Sequence, residues 1–171
     1  MDVVIYPHPS LRIGGKSVET FDQELADTAK AMFEAMYKQQ GVGLAAPQVN
    51  INKSLLVLNP SGDPAESDQE LTMINPKITA KKGKEWGEEG CLSFPKIYAE
   101  VQRSVKITVT YQDLQGEEQE LRANEFLARV IQHELDHIEG VVFTDRVSSV
   151  DKIRLRSDLQ ALEDRFEQAG K

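Results

Sequence analysis

Apolar side chains recur at helical spacing in the first third of the chain. The stretch follows Asp22, a residue type that caps helix N-termini, and it stops at Gly41. Its apolar and small positions are Leu25, Thr28, Ala29, Met32, Phe33, Met36 and Tyr37. Because this spacing places them on one face, it predicts an amphipathic helix that packs against a core.

Two more helices are predicted in the last third of the chain. The first has Asn124 as its N-cap, extends to about Glu139 and ends at Gly140. The second begins near Ser148 and carries an apolar stripe that we expect to pack against the core. That stripe consists of Val150, Ile153, Leu155, Leu159, Leu162 and Phe166.

The middle of the chain carries strand patterns instead. Residues 55–58 form a short apolar run that predicts a strand. Residues 61–69 contain Gly, Pro and acidic residues, which favour an exposed loop, and residues 71–74 should return the chain to the sheet.

A hairpin is predicted further along the chain. Residues 105–111 alternate apolar and polar side chains, as a half-buried strand does. Residues 113–117 contain a Gly turn, so residues 118–122 should pair back antiparallel. Since the strands outnumber the helices and form hairpins, we expect an α+β fold, with mostly antiparallel sheets packed around the middle helix and a C-terminal helix.

Length and composition narrow the class of protein. A chain of 171 residues favours one domain over residues 1–171. Its 28 acidic residues against 20 basic ones give a net charge of −8, which disfavours direct nucleic-acid binding. The chain has no apolar run long enough for a bilayer and no secretory start, so we expect no membrane contact and a cytoplasmic location of bacterial type. An organellar matrix or stroma would fit equally if a transit peptide had been removed.

Residues 133–137 place two imidazoles four residues apart on the middle helix. His133 and His137 then lie about 40° apart and about 6 Å along the axis, so both can reach one ion. On a helical wheel, Glu134 falls inside the apolar stripe and the histidines flank it beside Phe126 and Val130. A core-facing carboxylate is costly unless a cation or a proton donor meets it, and a metal-bound water would do so. The opposite arc carries Gln132, Asp136 and Glu139.

A catalytic ion on two imidazoles needs a third protein ligand. The candidates are His8 and Cys91, and we favour Cys91 because it lies in a turn of small residues. Cys91 is also the only cysteine, so an inert buried thiol is the alternative, just as the histidines could be ordinary core residues. A Cys-His-His set would accept Fe(II), Zn(II), Co(II) or Ni(II).

The segment 41–48 ends the first predicted helix in small residues. Its two glycines would let an extended ligand approach the main chain, and the Gln48 amide could donate to an oxyanion. The alternative is a helix C-cap followed by a turn.

Three segments together resemble the motifs of the peptide deformylases. They are residues 41–48, residues 89–93 (Glu-Gly-Cys-Leu-Ser) and residues 132–137 (Gln-His-Glu-Leu-Asp-His), in this order. The resemblance covers nearly the whole chain. It implies a metal-dependent hydrolase that removes the N-formyl group from the initiator methionine of new polypeptides and releases formate. It also implies an α+β fold around a metal-binding helix.

The same resemblance assigns roles to individual residues. It implies that Cys91, His133 and His137 bind the ion, with water in the fourth position. Glu134 would be the general acid and base, while the oxyanion would be held by the ion and by two groups of the chain. Those two groups are the Gln48 amide and the Leu92 backbone N–H.

For the substrate, the resemblance implies an extended peptide against Val42, Gly43 and Gly90. The methionine side chain would occupy a pocket on the side of the middle helix formed by Phe126, Val130 and His133. Fe(II) would be the ion in the cell, whereas Zn(II), Ni(II) or Co(II) would occupy preparations. N-formylmethionyl nascent peptides would be the partners.

Some positions depart from the family pattern or are less specific. Tyr98 stands where some bacterial members carry an arginine, and the loop 61–69 is longer than in some relatives. Asp136 resembles a position that pairs with the arginine matched here by Arg103. A ribosome contact through the last helix would use Lys152, Arg154 and Arg156.

Three other functions use some of the same residues. A metallopeptidase also uses His-Glu-x-x-His, usually with a more distant His or Glu as third ligand. A binding module could use the ion only to stabilise its fold, and a cysteine hydrolase would use Cys91 as its nucleophile.

Overall fold

The strands form two antiparallel sheets in the computed structural model, which describes residues 1–170. The strands found there are β1 (Gly43–Ala45), β2 (Leu55–Leu58), β3 (Leu71–Lys82), β4 (Glu85–Cys91), β5 (Phe94–Arg103), β6 (Lys106–Gln112) and β7 (Glu118–Asn124). One sheet has the order β1-β2-β3-β6-β7, and the other is the β4-β5 hairpin. The predicted α+β fold with antiparallel sheets is confirmed.

Four α-helices accompany these sheets within residues 1–170: α1 (Ser10–Ile13), α2 (Gln23–Lys38), α3 (Glu125–Ile138) and α4 (Ser149–Ala169). The three long ones are the predicted helices. Asp22 caps α2 by accepting from the Leu25 N–H at 3.0 Å, and Ser148 caps α4 through the Asp151 N–H. None of these helices is long and apolar enough to cross a membrane.

Asn124 was predicted to cap α3, and this prediction was wrong for its side chain. Asn124 stands at the cap position, but its side chain accepts no hydrogen bond. The reason is that β7 runs directly into α3: Asn124 still pairs with Lys106, and the Glu125 N–H donates to the Val105 carbonyl at 2.9 Å.

Strand β2 explains how the large sheet is buried on both sides. Its four residues are fully buried and alternate between two clusters. Leu55 and Val57 pack with α2, whereas Leu56 and Leu58 pack with α3. Since successive side chains point to opposite faces, a continuous apolar strand is what a sheet between two helices requires.

The β4-β5 hairpin closes the other side of α3. Its buried residues, including Val101, join α4 and the N-terminal segment in a third cluster. The polar pattern of β4 gave no strand signal, because only Glu89 of its seven residues is fully buried. The hairpin therefore has to be held by side-chain contacts as well as by its ladder.

The apolar stripe predicted on α4 is only partly a packing stripe. Leu155 and Leu162 are buried at 1% and 6% exposure, but Val150 and Ile153 are 75% and 65% exposed. Residues 155 and 162 are seven apart and so lie on one narrow line of the helix. Val150 and Ile153 lie about 140° and 160° from Leu155 around the helix, so their side chains face solvent. The proposed domain boundary at residue 171 lies outside the described residues.

This arrangement predicts different costs for two truncations on one helix. Leu155→Ala should lower the free energy of unfolding by about 2–5 kcal/mol, because it leaves a cavity in the third cluster. Ile153→Ala should change it by less than about 0.5 kcal/mol, because that side chain is exposed. Urea unfolding followed by circular dichroism measures both, and equal losses would contradict the packing described.

Candidate metal centre

Cys91, His133 and His137 converge although the chain separates them widely. Cys91 ends β4, and the two histidines lie on successive turns of α3. Each offers a ligand atom, and these atoms lie within 4.8 Å of one another. The Cys91 Sγ is 3.4 Å from the His137 Nε2. The sulfur and the imidazoles predicted to meet are therefore close enough to share one ion.

The end of β4 is shaped to bring the thiol inward. The pairing register between β4 and β5 shifts between Gly90 and Cys91, and the chain then turns back so that Cys91 faces Phe94. A Cβ at Gly90 would lie 2.6 Å from the Cε1 of Tyr98. A side chain at position 90 would require the exposed Tyr98 ring to move, so Gly90 lets this ring lie directly over the backbone that leads to Cys91.

His133 is oriented by a buried carboxylate. Its Nδ1–H donates to Glu89 Oε1 at 2.8 Å, which leaves Nε2 free to face an ion. Glu89 also accepts two hydrogen bonds of 2.9 Å from Arg103. Burial alone would raise the pKa of Glu89, but the bonds from Arg103 and His133 outweigh it and lower that pKa to about 2.

Behind Glu89 the ion pairs continue away from the centre. Arg103 Nη1 lies 2.6 Å from Asp136 Oδ2, so the predicted pair is present, and Asp136 also accepts from Arg146 at 2.6 and 2.9 Å. The polar arc of α3 is thus not a solvated surface. Gln132 on the same arc is buried too, and it pairs with the backbone of Ser104.

Arg129 ties the hairpin to α3, and sequence reasoning missed it. It donates to the Val101 carbonyl at 2.8 Å, the Glu85 carbonyl at 2.9 Å and Glu89 Oε2 at 2.8 Å. The only signal in the sequence was a basic residue one turn before His133 on the same flank of the helix.

Glu134 faces the core as the helical wheel predicted. It is 4% exposed, and its Oε1 lies 3.8 Å from the His133 Nε2. Burial raises the pKa of Glu134 to about 7. A Cβ at Gly43 would lie 2.9 Å from the Glu134 Cγ, so β1 can pass this close to the carboxylate only because Gly43 has no side chain.

The donor set fits a divalent transition metal. Two buried polar atoms, Glu134 Oε2 and His137 Nδ1, have no hydrogen-bond partner within the part of the chain that the structure describes. Burial lowers the pKa of His137 well below its ordinary value, so its imidazole is neutral, as a ligand must be. One thiolate with two imidazoles matches the ligand preferences of borderline-soft ions. The cluster could therefore hold a metal ion.

His8 does not belong to this cluster. Its Nδ1 lies 2.9 Å from the Ser10 hydroxyl, and its ring contacts Phe166 edge-on. The alternative that His8 supplies the third ligand was wrong, because the short helix α1 keeps this ring beside α4.

Gln48 reaches the sulfur from the other side. It is 1% exposed, and its Nε2 donates to Cys91 Sγ at 3.4 Å and to Ser93 Oγ at 3.2 Å. Its Oε1 accepts from the Ala45 N–H at 2.9 Å, which fixes the direction of the amide. Leu92 follows Cys91 directly in the chain. Gln48 and Leu92 therefore both lie beside the candidate ion position.

A cavity of about 530 Å³ opens onto these groups. Its lining includes these residues that sequence reasoning assigned to the site: Val42, Gly43, Gly90, Cys91, Leu92, Phe126, Val130, His133 and Glu134. Gln48 and His137 lie behind this lining. Ile5, Tyr98 and Arg129 also line the cavity but were not predicted to bind substrate.

Comparison with known proteins gives consistent results. The family model described as polypeptide deformylase matches residues 1–153. A peptide deformylase of Nitrosococcus oceani is 44% identical over 156 residues, which is 91% of this chain and 92% of that protein. The chloroplastic/mitochondrial peptide deformylase 1B of Arabidopsis thaliana is 43% identical over 98% of this chain. The match covers only 62% of that relative's length. A crystallised peptide deformylase from Plasmodium falciparum superposes with a TM-score of 0.96 at 35% identity, covering 99% of each chain.

The buried ion pairs predict a large penalty for losing Arg103. Arg103→Met should lower the free energy of unfolding by about 3–5 kcal/mol, because Glu89 and Asp136 would keep buried charges without this partner. The matched control is Arg154→Met. The Arg154 side chain is 54% exposed and pairs with Asp151, so this pair should contribute at most about 1 kcal/mol to the free energy of unfolding. Chemical unfolding distinguishes the two, and a small effect at Arg103 would argue against the network.

Proposed function

The chain belongs to the peptide deformylase family, and we propose that it hydrolyses the N-formyl group of formylmethionyl nascent peptides and releases formate. One observation carries this proposal: Glu134 lies buried beside the Cys91, His133 and His137 cluster, and one of its oxygens has no hydrogen-bond partner among residues 1–170. That arrangement combines a metal site with a general base, as metal-assisted hydrolysis needs.

We infer that Cys91, His133 and His137 hold one divalent ion, with Fe(II) in the cell and Zn(II), Ni(II) or Co(II) as substitutes in preparations. When bound, the ion supplies Lewis-acid chemistry that polarises a carbonyl oxygen and makes water acidic enough to ionise near neutral pH. Glu89 contributes by fixing the His133 ring so that Nε2 faces the ion.

Glu134 is the proposed proton carrier. A carboxylate with a pKa raised to about 7 can take a proton from the attacking water and return it in the same turnover. The hydroxyl adds to the formyl carbon, the C–N bond breaks, and the proton reaches the leaving nitrogen. The products are formate and a free amino terminus.

The oxyanion of the tetrahedral intermediate is the proposed ligand of Gln48 and Leu92. The Gln48 amide is held by its bonds to Ala45 and Ser93, and its second N–H, which points toward the Cys91 sulfur at 3.4 Å, is the one that would turn to the oxyanion. Such preorganised donors stabilise developing negative charge. The Leu92 N–H would be the second donor.

The strand edges beside the cavity suit an extended peptide. β1 is the edge of the large sheet, and β4 pairs only with β5, so each strand has one unpaired side. Val42, Gly43 and Gly90 lie at these edges and line the cavity. A peptide added there would use main-chain hydrogen bonds, as in β-strand addition. Phe126, Val130 and His133 would then surround the methionine side chain.

The rival functions account for less of the site. A metallopeptidase would leave the cysteine ligand unexplained, and a purely structural ion would leave the burial of Glu134 unexplained. A cysteine hydrolase would use His137 as its base, but the His137 Nδ1 has no hydrogen-bond partner within residues 1–170 to orient the ring, and the burial of Glu134 would again be unexplained.

Location and ribosome contact remain proposals. Bacterial and chloroplastic relatives both occur, so we propose either the bacterial cytoplasm or an organelle as the compartment. On α4, Arg154 is already engaged with Asp151 and the Tyr98 carbonyl. Any ribosome contact would therefore depend mainly on Lys152 and Arg156.

Removing the acid-base group should separate metal binding from turnover. Glu134→Gln should keep the ion yet lose about a thousandfold or more in kcat, because its amide cannot accept the proton. The measurement is formate release from a formyl-Met peptide under anaerobic conditions. An unformylated peptide of the same length tests for internal cleavage. Glu120→Gln, a neutralisation on the exposed face of β7, should be unaffected. Unchanged turnover in Glu134→Gln, or cleavage of the unformylated peptide, would rule the mechanism out.

Removing the sulfur should abolish metal retention. Cys91→Ala should fold with an unchanged circular dichroism spectrum but contain little metal after dialysis, because two imidazoles alone bind weakly. Elemental analysis of wild type and variant measures this. A variant with a full equivalent of tightly held ion would show that Cys91 is not a ligand.

A further inference from the structure

A second cavity, of about 400 Å³, lies on the other side of α3. The helix contributes Gln132, Leu135, Asp136 and Glu139 to it, whereas His133 and Glu134 line the first cavity. The two cavities share no lining residue. The polar arc of α3 thus forms the wall of a separate pocket.

Basic side chains dominate the lining of this second cavity. Its cationic residues are Lys77, Lys81, Lys84, Arg103 and Arg146. Only Asp136 and Glu139 carry negative charge there, although the whole chain has a net charge of −8. A positive concavity in an acidic protein concentrates anions, because low-dielectric walls focus its field.

The lysines are the unsatisfied part of this lining. Asp136 is fully engaged by Arg103 and Arg146. In contrast, Lys77, Lys81 and Lys84 make no ion pair within residues 1–170. Three exposed lysines around one cavity repel one another, so a bound anion would relieve their repulsion.

The walls of the cavity are fixed in place. Arg103 and Asp136 are 5% exposed, and Gln132 holds the backbone of Ser104 through two hydrogen bonds. The chain crosses from β3 to β4 at this point through Gly83, whose φ of +75° favours glycine. Lys81, near the end of β3, and Lys84, just before β4, lie at the edge of the cavity. The ion pairs of Asp136 with Arg103 and Arg146 form its base.

We propose that this cavity binds a small oxyanion of the phosphate class. A tetrahedral anion offers several acceptor oxygens, which suits separate ammonium groups and the Arg146 Nη1, which makes no hydrogen bond within residues 1–170. The site is independent of the deformylase assignment, since the two cavities share no lining residue.

The experiment is a phosphate titration of the zinc-loaded protein followed by ¹H–¹⁵N NMR. Ionic strength is held constant with sodium chloride, so that general screening does not change. We expect saturable shifts at the amides of Lys77, Lys84 and Ser104. If the Cys91 amide resonance shifts and the resonances of these three amides do not, the anion binds at the metal, and the proposal is overturned.

A matched pair of double variants tests the lysines. Lys77→Gln with Lys84→Gln should weaken phosphate binding roughly fivefold or more, because two charge-assisted contacts are lost. The control is Lys82→Gln with Lys106→Gln, which removes the same charge from neighbouring residues that line a different depression and not this cavity. The control should change the affinity less than twofold.

The titrations of the two double variants have one outcome that supports the proposed anion site and two that contradict it. Saturable binding lost in the first double variant and kept in the second supports the site. Equal weakening in both would show a diffuse electrostatic effect, and a linear drift without saturation would show no site. Either of these two results overturns the proposal.

Discussion

The buried carboxylate of Glu89 is the contact on which the metal centre depends. It accepts from His133 on α3 and twice from Arg103 at the end of β5, and Arg129 is its third partner. Glu89 itself lies two residues before Cys91 on β4. One side chain therefore joins the strand that carries the sulfur to the helix that carries the imidazoles. Because a buried anion is unstable without such partners, these elements are held together as a unit.

The same constraint explains the separation of roles along α3. His133 and Glu134 are neighbours in sequence, but His133 is held by Glu89, whereas Glu134 keeps a buried oxygen without a hydrogen-bond partner within residues 1–170. In the proposed function, His133 binds the ion and the Glu134 carboxylate transfers the proton. Gly43 lets β1 approach the Glu134 side chain closely. The proposed chemistry and peptide binding thus use adjacent parts of one cavity.

Local sequence patterns predicted the long helices and several residues of the candidate site. The spacing of His133 and His137, the core-facing position of Glu134 and the alternation of residues 105–111 depend only on helix and strand geometry. Strand β4 gave no such signal, because it is mostly exposed and is held through Glu89 and Arg129, whereas the alternation of β5, with Ile97, Ala99 and Val101 buried, was present in the sequence and was missed. The exposed part of α4 was mispredicted because periodicity shows which face is apolar but not how far a neighbour covers it. The pair of Asp136 with Arg103 was predicted only through family resemblance, and its contact with Arg146 was not predicted.

The most direct test of the central claim is X-ray absorption at the metal edge of the zinc-loaded protein. The account predicts one sulfur at about 2.3 Å and two imidazole nitrogens at about 2.0–2.1 Å from one ion, with a lighter atom in the remaining position. A spectrum with no sulfur scatterer, or with a single imidazole, would contradict it.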